Sequence, residues 1–227
     1  MYTTSTQTRR DLIASSVVPV SLLILHTSPE NAVASVRSLP FSSINEVVQY
    51  INHSCNRRFL QSVRSSCYNF LYRGTEINAS SRDTEVSAFI IKDTYDLLDP
   101  NTYQSTDAVA YFQRLEDKLS LSGYNVKPSN GHLATTCQKD AAKWGRPMSI
   151  WPIGDTGVDF IWLASGGVFW PLSDPSKELE IASEPLQRLD KALQGDAWEI
   201  MFRADNGVLA VPAEFDEEMR YLLKHAS

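Results

Sequence analysis

In the second half of the chain the apolar residues come in short extended runs, at 148–153, 159–163, 168–171 and 198–204, each closed by a glycine-containing or polar turn. Runs of this length bounded by turn residues are strand signals, and a strand must find backbone partners, so this half commits the chain to building a sheet. The front half follows a different period. Ser42 and Ser43 ahead of Glu46 supply an N-cap with a carboxylate in the first turn, and Ile44, Val47, Val48 and Ile51 repeat at helical spacing, which predicts a helix over 43–53. A second short helix at 57–64 carries Phe59, Leu60 and Val63, and the aromatic run at 68–72 predicts a strand that stops at Arg73-Gly74. The stretch 83–96 is mixed, Asp99-Pro100-Asn101 is a turn, and Val109, Phe112, Leu115 and Leu119 predict a surface helix over 106–119. A short extended segment at 132–136 precedes a helix at 138–144, which Gly145 closes ahead of Pro147. Helices at 184–193 and from Ala213 onward complete the pattern, with a hairpin through Asn206-Gly207 between apolar runs. The expectation is an α+β domain with a helical N-terminal part.

Charge narrows the function classes. Among 227 residues, 21 Lys and Arg face 27 Asp and Glu, a net charge of −6, and gripping nucleic-acid phosphates requires a basic face instead. Ten Gly and eleven Pro exclude collagen-like and low-complexity classes, and no repeat appears at solenoid periods. The length suits one domain, assigned to 35–227, behind a short extension at 1–34.

That extension reads as a targeting leader. It holds Arg9-Arg10, an apolar stretch from Val17 to Leu25 too short to span a bilayer, Pro29, and the small-residue triplet Ala32-Val33-Ala34, after which cleavage is expected. Paired arginines before a modest apolar core resemble a twin-arginine export signal, and the TRRDLIASS wording resembles the lumen-targeting half of plastid proteins. The implied destination is export to the thylakoid lumen, with secreted or periplasmic as alternatives, and the mature chain has no membrane span. An amphipathic or disordered tail containing Arg-Arg is the bland alternative.

Cys55, Cys67 and Cys137 all lie beyond the leader, where an oxidising compartment permits a bridge. Cys55 and Cys67 flank the helix predicted at 57–64, about 12 Å long at 1.5 Å per residue, which exceeds the reach of a disulfide unless the chain folds back. Free, mostly buried thiols are expected. The four histidines are scattered and no Cys-x-x-Cys occurs, so no metal site is expected, and Asp155, Asp159 and the Glu178–Glu184 carboxylates lack the spacing of a calcium loop. Asn52-His53-Ser54 and Asn78-Ala79-Ser80 match glycosylation sequons, which matter only in a secretory pathway. There is no Gly-x-Ser-x-Gly elbow, no Gly-x-x-x-x-Gly-Lys loop and no Gly-x-Gly-x-x-Gly after a strand, which removes hydrolase, kinase and dinucleotide-fold readings.

Three strings remain, in order: Tyr72-Arg73-Gly74 ending a strand, Ala134-Thr135-Thr136 before a helix, and Trp198-Glu199-Ile200-Met201-Phe202 within a strand. Trp144-Gly145, Trp151-Pro152 and the segment LQGDAWEI leading into the last string accompany them. Together they resemble the arginine-serine-glutamate branch of the ADP-ribosyltransferases over roughly residues 68–212. The resemblance implies a pair of small packed sheets around a cleft for NAD and no metal. It implies transfer of ADP-ribose to a protein or small acceptor with release of nicotinamide. In that reading Glu199 faces the positive charge that develops on the ribose, Thr135 fixes its carboxylate, Arg73 binds phosphates or ribose, and Gly74, Thr136 and Trp144 complete the cofactor contacts. The chemistry is consistent: a rigid carboxylate beside an anomeric carbon stabilises an oxocarbenium-like transition state, and a guanidinium is a planar fork for phosphate oxygens.

The chain also departs from that pattern. Ala197 stands where arginine-modifying members carry Gln or Glu two residues before the catalytic Glu, with Asp196 one step further, which argues against arginine as acceptor. Thr-Thr replaces Ser-Thr-Ser. Each residue also has a structural reading: Glu199 on an alternating strand can face solvent, Arg73 can pair with a carboxylate such as Glu76, and Trp144 before a glycine can be core. The second class of function is therefore an inactive relative of the same fold, serving as an interaction or structural module outside the cytoplasm.

Overall fold

Ser43 caps the first helix as its position in the sequence requires, its Oγ accepting from Glu46 N at 3.4 Å while the Glu46 carboxylate accepts from Ser42 N and Oγ at 2.9 and 2.7 Å. The computed structural model describes residues 35–76, 86–92, 98, 106–163, 169, 181–182, 188–196 and 198–225. The expected leader at 1–34, most of the strand at 168–171 and residues 184–187 of a predicted helix lie outside the described residues. In chain order the elements are β1 Ser35–Phe41, α1 Ile44–Ser54, α2 Arg57–Ser65, β2 Tyr72–Thr75, β3 Val86–Lys92, α3 Thr106–Leu121, β4 His132–Thr135 and α4 Gln138–Ala141. A 3₁₀ turn at Ala142–Trp144 leads to β5 Arg146–Pro152, β6 Val158–Leu163, β7 Ile181–Ala182, the single helical turn α5 Leu189–Lys191, β8 Glu199–Ala204, β9 Val208–Pro212 and α6 Asp216–His225.

The class is α+β, with helices and an antiparallel sheet in one domain. The strands run in the order β1-β3-β9-β5-β2-β4-β8-β6-β7. The two sheets that were expected are here two halves of one hydrogen-bonded sheet, joined at a narrow neck: β2 and β4 meet at the single pair Tyr72 and Thr135, whereas β2 and β5 share four. Phe59 of α2 links the halves from one side, stacking on Phe160 of β6 at 5.6 Å between ring centres and meeting Trp151 of β5 edge-on at 6.0 Å. Such offset and edge contacts add about 0.5–1.5 kcal/mol each beyond simple burial.

β4, β8 and β6 are covered on both faces. Ala134, Ile200, Phe202, Phe160 and Trp162 alternate into the main core, while Leu133, Met201, Ile161 and Leu163 point the other way into a smaller cluster closed by Tyr111, Phe112, Leu115 and Leu119 of α3. The period-two rule therefore puts no residue of β8 on an open outer face of these three strands by default.

Several expectations are corrected. The strand expected at 68–72 begins only at Tyr72, because Cys67 and Tyr68 adopt φ of 60° and 62°, a left-handed pair that turns the chain while Phe70 and Leu71 stay buried. Apolar content there reports burial, not extension. The front is not purely helical: β1 precedes α1 and pairs along its whole length with β3, which the mixed stretch 83–96 contains. Asn206-Gly207 does make a turn, with Gly207 at φ 80°, but it does not close a hairpin. Both sides of β8 are taken by β4 and β6, and both sides of β9 by β3 and β5, so the turn carries the chain between the two halves. Cys55 is buried as expected and its thiol is pushed well up by burial, but Cys67 is exposed; all three thiols are free.

Candidate functional site

The neck of the sheet gathers most of the residues singled out by sequence. In the β4–β8 ladder Thr135 lies opposite Glu199, Ala134 opposite Ile200, Leu133 opposite Met201 and His132 opposite Phe202. Thr135 and Glu199 are thus cross-strand neighbours on one face, the face that α3 covers. Thr135 is buried, and its Oγ1 accepts from Cys137 N at 3.1 Å as the chain leaves β4 for α4. Thr136 N donates to Trp198 O at 3.3 Å, prolonging the ladder by one step.

Glu199 is half-buried and does not face open solvent as an alternating surface strand would have it. Its Oε2 accepts from the backbone N of Phe169, a residue wholly buried in the smaller cluster. Its charge is also felt by Tyr111 of α3, whose hydroxyl is pushed up to about 12, first by burial and then by Glu199, with Arg114 pulling the other way. Tyr111 was not singled out by sequence reasoning; it stood outside the apolar set Val109, Phe112, Leu115 and Leu119, and only the covering of β8 by α3 reveals it. The carboxylate is therefore fixed in direction by a backbone donor.

Arg73 occupies the next strand. Past Tyr72 and Thr135, β2 and β4 share no further ladder pair among the described residues. Arg73 is half-buried, and its Nη1 donates to Nδ1 of His132 at 3.2 Å. His132 alternates with Thr135 along β4, and its ring packs against Phe202 at 5.3 Å on the main-core side. The guanidinium thus meets the opposite face of β4 from the Glu199 carboxylate. The structure brings Thr135 and Glu199 side by side, sets Arg73 one strand away, and does not gather all three side chains on one face.

Gly74 is required, but by the protein itself. A Cβ there would meet Ala141 O and lie 2.7 Å from Trp144 Cβ, so the close approach expected for a ligand is made by the 3₁₀ turn. Trp144, at the end of that turn, is 53% exposed, which corrects the core reading of this residue. Trp198, beside Glu199, is 39% exposed.

Beneath β2 lies a polar network that no motif announced. Tyr72 Oη donates to Asp216 Oδ2 at 2.7 Å, and Arg220 Nη2 donates to Tyr72 Oη at 3.0 Å while its guanidinium lies over the Phe70 ring at 4.7 Å. Asp216 opens α6, where a carboxylate suits the helix dipole, yet it is buried and its Oδ1 has no hydrogen-bond partner. Ser149 lies close, but its single proton goes to Val211 O at 3.3 Å. Burial pushes the Asp216 carboxyl up to about 6, against the pull of Tyr72, Arg220 and Ser149. Burial, with the Asp216 charge second, also raises the Tyr72 hydroxyl. The network holds Tyr72, the residue before Arg73, in place.

Among the described residues no group of three or more His, Cys, Asp and Glu could hold a metal ion, and no helix is long and apolar enough to cross a membrane. Comparison of the chain with protein-family models, with curated proteins and with solved structures gives no match.

Proposed function

We propose that this protein uses the neck of its sheet to bind NAD and transfer ADP-ribose to a protein or small acceptor, releasing nicotinamide. The observation that carries this reading is the cross-strand pair of Thr135 and Glu199 on the face that α3 covers. A half-buried carboxylate held by a backbone donor has a restricted direction and a charge less screened than in open water, which favours stabilising a nascent ribosyl cation. Thr135 Oγ1 accepts from Cys137 N and so keeps its own proton to donate towards an oxygen on the same face. Arg73, the phosphate binder that the resemblance implies, is hydrogen-bonded to His132 on the other face of β4 and is left out of this pair.

The test is incubation of the protein with NAD, nicotinamide release being the readout, repeated with Glu199→Gln. The reading expects release from the wild type and a drop of about a hundredfold or more in the variant, the size associated with losing one preorganised electrostatic group. Equal release from both removes the mechanism.

A second reading, an inactive relative acting as an interaction module, is favoured by two specific features. The approach at Gly74 is filled by the 3₁₀ turn, and the Glu199 carboxylate already has a backbone partner in Phe169. Absence of nicotinamide release from the wild type supports this reading. Export, to the thylakoid lumen first and otherwise to a secreted or periplasmic location, is part of both, and a fluorescent fusion of residues 1–40 tests it.

A further inference from the structure

The polar network under Tyr72 has room for one more proton than its hydroxyls bring. Each hydroxyl carries a single proton, and both are committed: Tyr72 Oη donates to Asp216 Oδ2 at 2.7 Å, and Ser149 Oγ donates to Val211 O at 3.3 Å. Arg220 donates to Tyr72 Oη and Tyr68 O, at 3.0 and 3.1 Å, and its Nη2 stays 3.9 Å from Asp216 Oδ2. Asp216 Oδ1 is thus left buried without a donor. Ser149 Oγ, beside the carboxyl, accepts from Trp151 Nε1 at 3.2 Å and keeps one lone pair. A proton on Oδ1, donated to Ser149 Oγ, gives every one of these buried polar atoms a partner. The ionised carboxylate leaves one atom unpartnered and buries a charge besides. Burial, which raises the carboxyl to about 6, acts in the same direction.

We infer that Asp216 is a proton-operated latch: with its proton on, it holds α6 to the neck of the sheet, and with the proton off, α6 opens locally while the strands stay paired. The helix is suited to this. It contributes no strand, so lifting it breaks no ladder pair, and apart from Asp216 its buried side chains are only Met219 and Leu223. One carboxyl therefore weighs heavily in its docking. Among the described residues the groups that face this carboxyl are Tyr72 from β2, Arg220 from α6 itself and the uncharged Ser149 from β5. α1, which packs along α6, buries only apolar residues. Glu217 and Glu218 are exposed, and Glu214 pairs with Arg146 at 2.7 Å. In the open state Asp216 titrates near the ordinary 3.8, and in the closed state near 6. The latch is therefore tightest below pH 4 and weakens as pH rises to 6. It does not depend on the NAD reading, although Tyr72, which it holds, is the β2 partner of Thr135 at the neck.

Amide hydrogen exchange of the full chain between pH 4 and pH 8, corrected for the chemical exchange rate, reads the opening of α6 directly. The latch predicts that the opening constants of α6 amides rise about tenfold per pH unit, about a hundredfold in all, between pH 4 and 6 and then level off. Near pH 6 they should exceed those of β8 amides at least tenfold, because β8 opens only with the whole fold. Asp216→Asn puts an uncharged donor where the proton sits, and should leave α6 protected to the same degree across the range. Carbon NMR of the Asp216 carboxyl gives its titration, expected near 6. Ser149→Ala should lower that midpoint, because it removes the acceptor of the proton. Should Asp216→Asn fail to fold, the wild-type exchange and the two titrations still decide. Exchange of α6 that is flat with pH, or that keeps its rise in Asp216→Asn, overturns the latch. Equal opening constants for α6 and β8 overturn it as well, since the proton then acts on the whole fold. A midpoint near 3.8, or one raised by Ser149→Ala, overturns the placement of the proton and the latch with it.

Discussion

Asp216 shows what a single side chain can cost where it is placed for geometry and not for solvation. Its carboxyl is buried, has one oxygen without a partner, and is pushed up to about 6 from an ordinary value of 3.8. Between about pH 4 and pH 6 the folded protein therefore holds a proton that the unfolded chain has released. The contribution of this group to stability is fully present below pH 4 and is lost as pH rises through 6. Comparing chemical denaturation of the wild type with Asp216→Asn checks this. The difference in unfolding free energy, wild type minus variant, should fall across that window with a slope of at most about 1.4 kcal/mol per pH unit and level off above it. A difference flat across the window contradicts the burial argument. Gly74 makes the complementary point. Gly74→Ala drives a Cβ against backbone atoms of the 3₁₀ turn, which cannot yield as a flexible side chain would. It should lower stability by about 1–3 kcal/mol, read by denaturant midpoint.

At the scale of elements, legibility followed locality. The helices at Ile44–Ser54, Arg57–Ser65 and Asp216–His225 were readable because caps and apolar spacing are written within a few residues. The same logic gives a prediction: Ser43→Ala removes the cap of α1 and should cost about 0.5–1 kcal/mol in thermal or denaturant unfolding, the low end because the bond to Glu46 N is long. Strand partners were not readable in this way. Asn206-Gly207 encodes a turn, and the turn is there, but turn chemistry says nothing about whether the flanking strands are already paired elsewhere. β1 escaped notice because its run, SVRSLPF, breaks Val36, Leu39 and Phe41 with two serines, Arg37 and Pro40 and draws its stability from pairing with β3. The aromatic run before β2 misled in the opposite direction, since Phe70 and Leu71 are buried by a left-handed turn at Cys67 and Tyr68.

For the whole molecule, the site depends on contacts that are distant in sequence. Arg73, Thr135 and Glu199 could be picked out by residue type, yet whether they meet is decided by the order β2-β4-β8 and by its register. That register puts Thr135 opposite Glu199 and turns His132 to the other side, so the same ladder that supports the carboxylate also displaces the guanidinium. Tyr111 and Asp216 carried no motif, because their surroundings arise from α3 covering β8 and from α6 packing under Tyr72. A sheet narrowed to one residue pair at its middle is the feature that organises these contacts, and the account claims that this neck is where a sugar cation meets a fixed carboxylate. Nicotinamide release from NAD, compared between the wild type and a Glu199→Gln variant of matched thermal stability, tests that claim most directly. Measurable release from the wild type, falling about a hundredfold or more in the variant, is expected; release of equal size from both proteins would show that Glu199 does not serve the sugar.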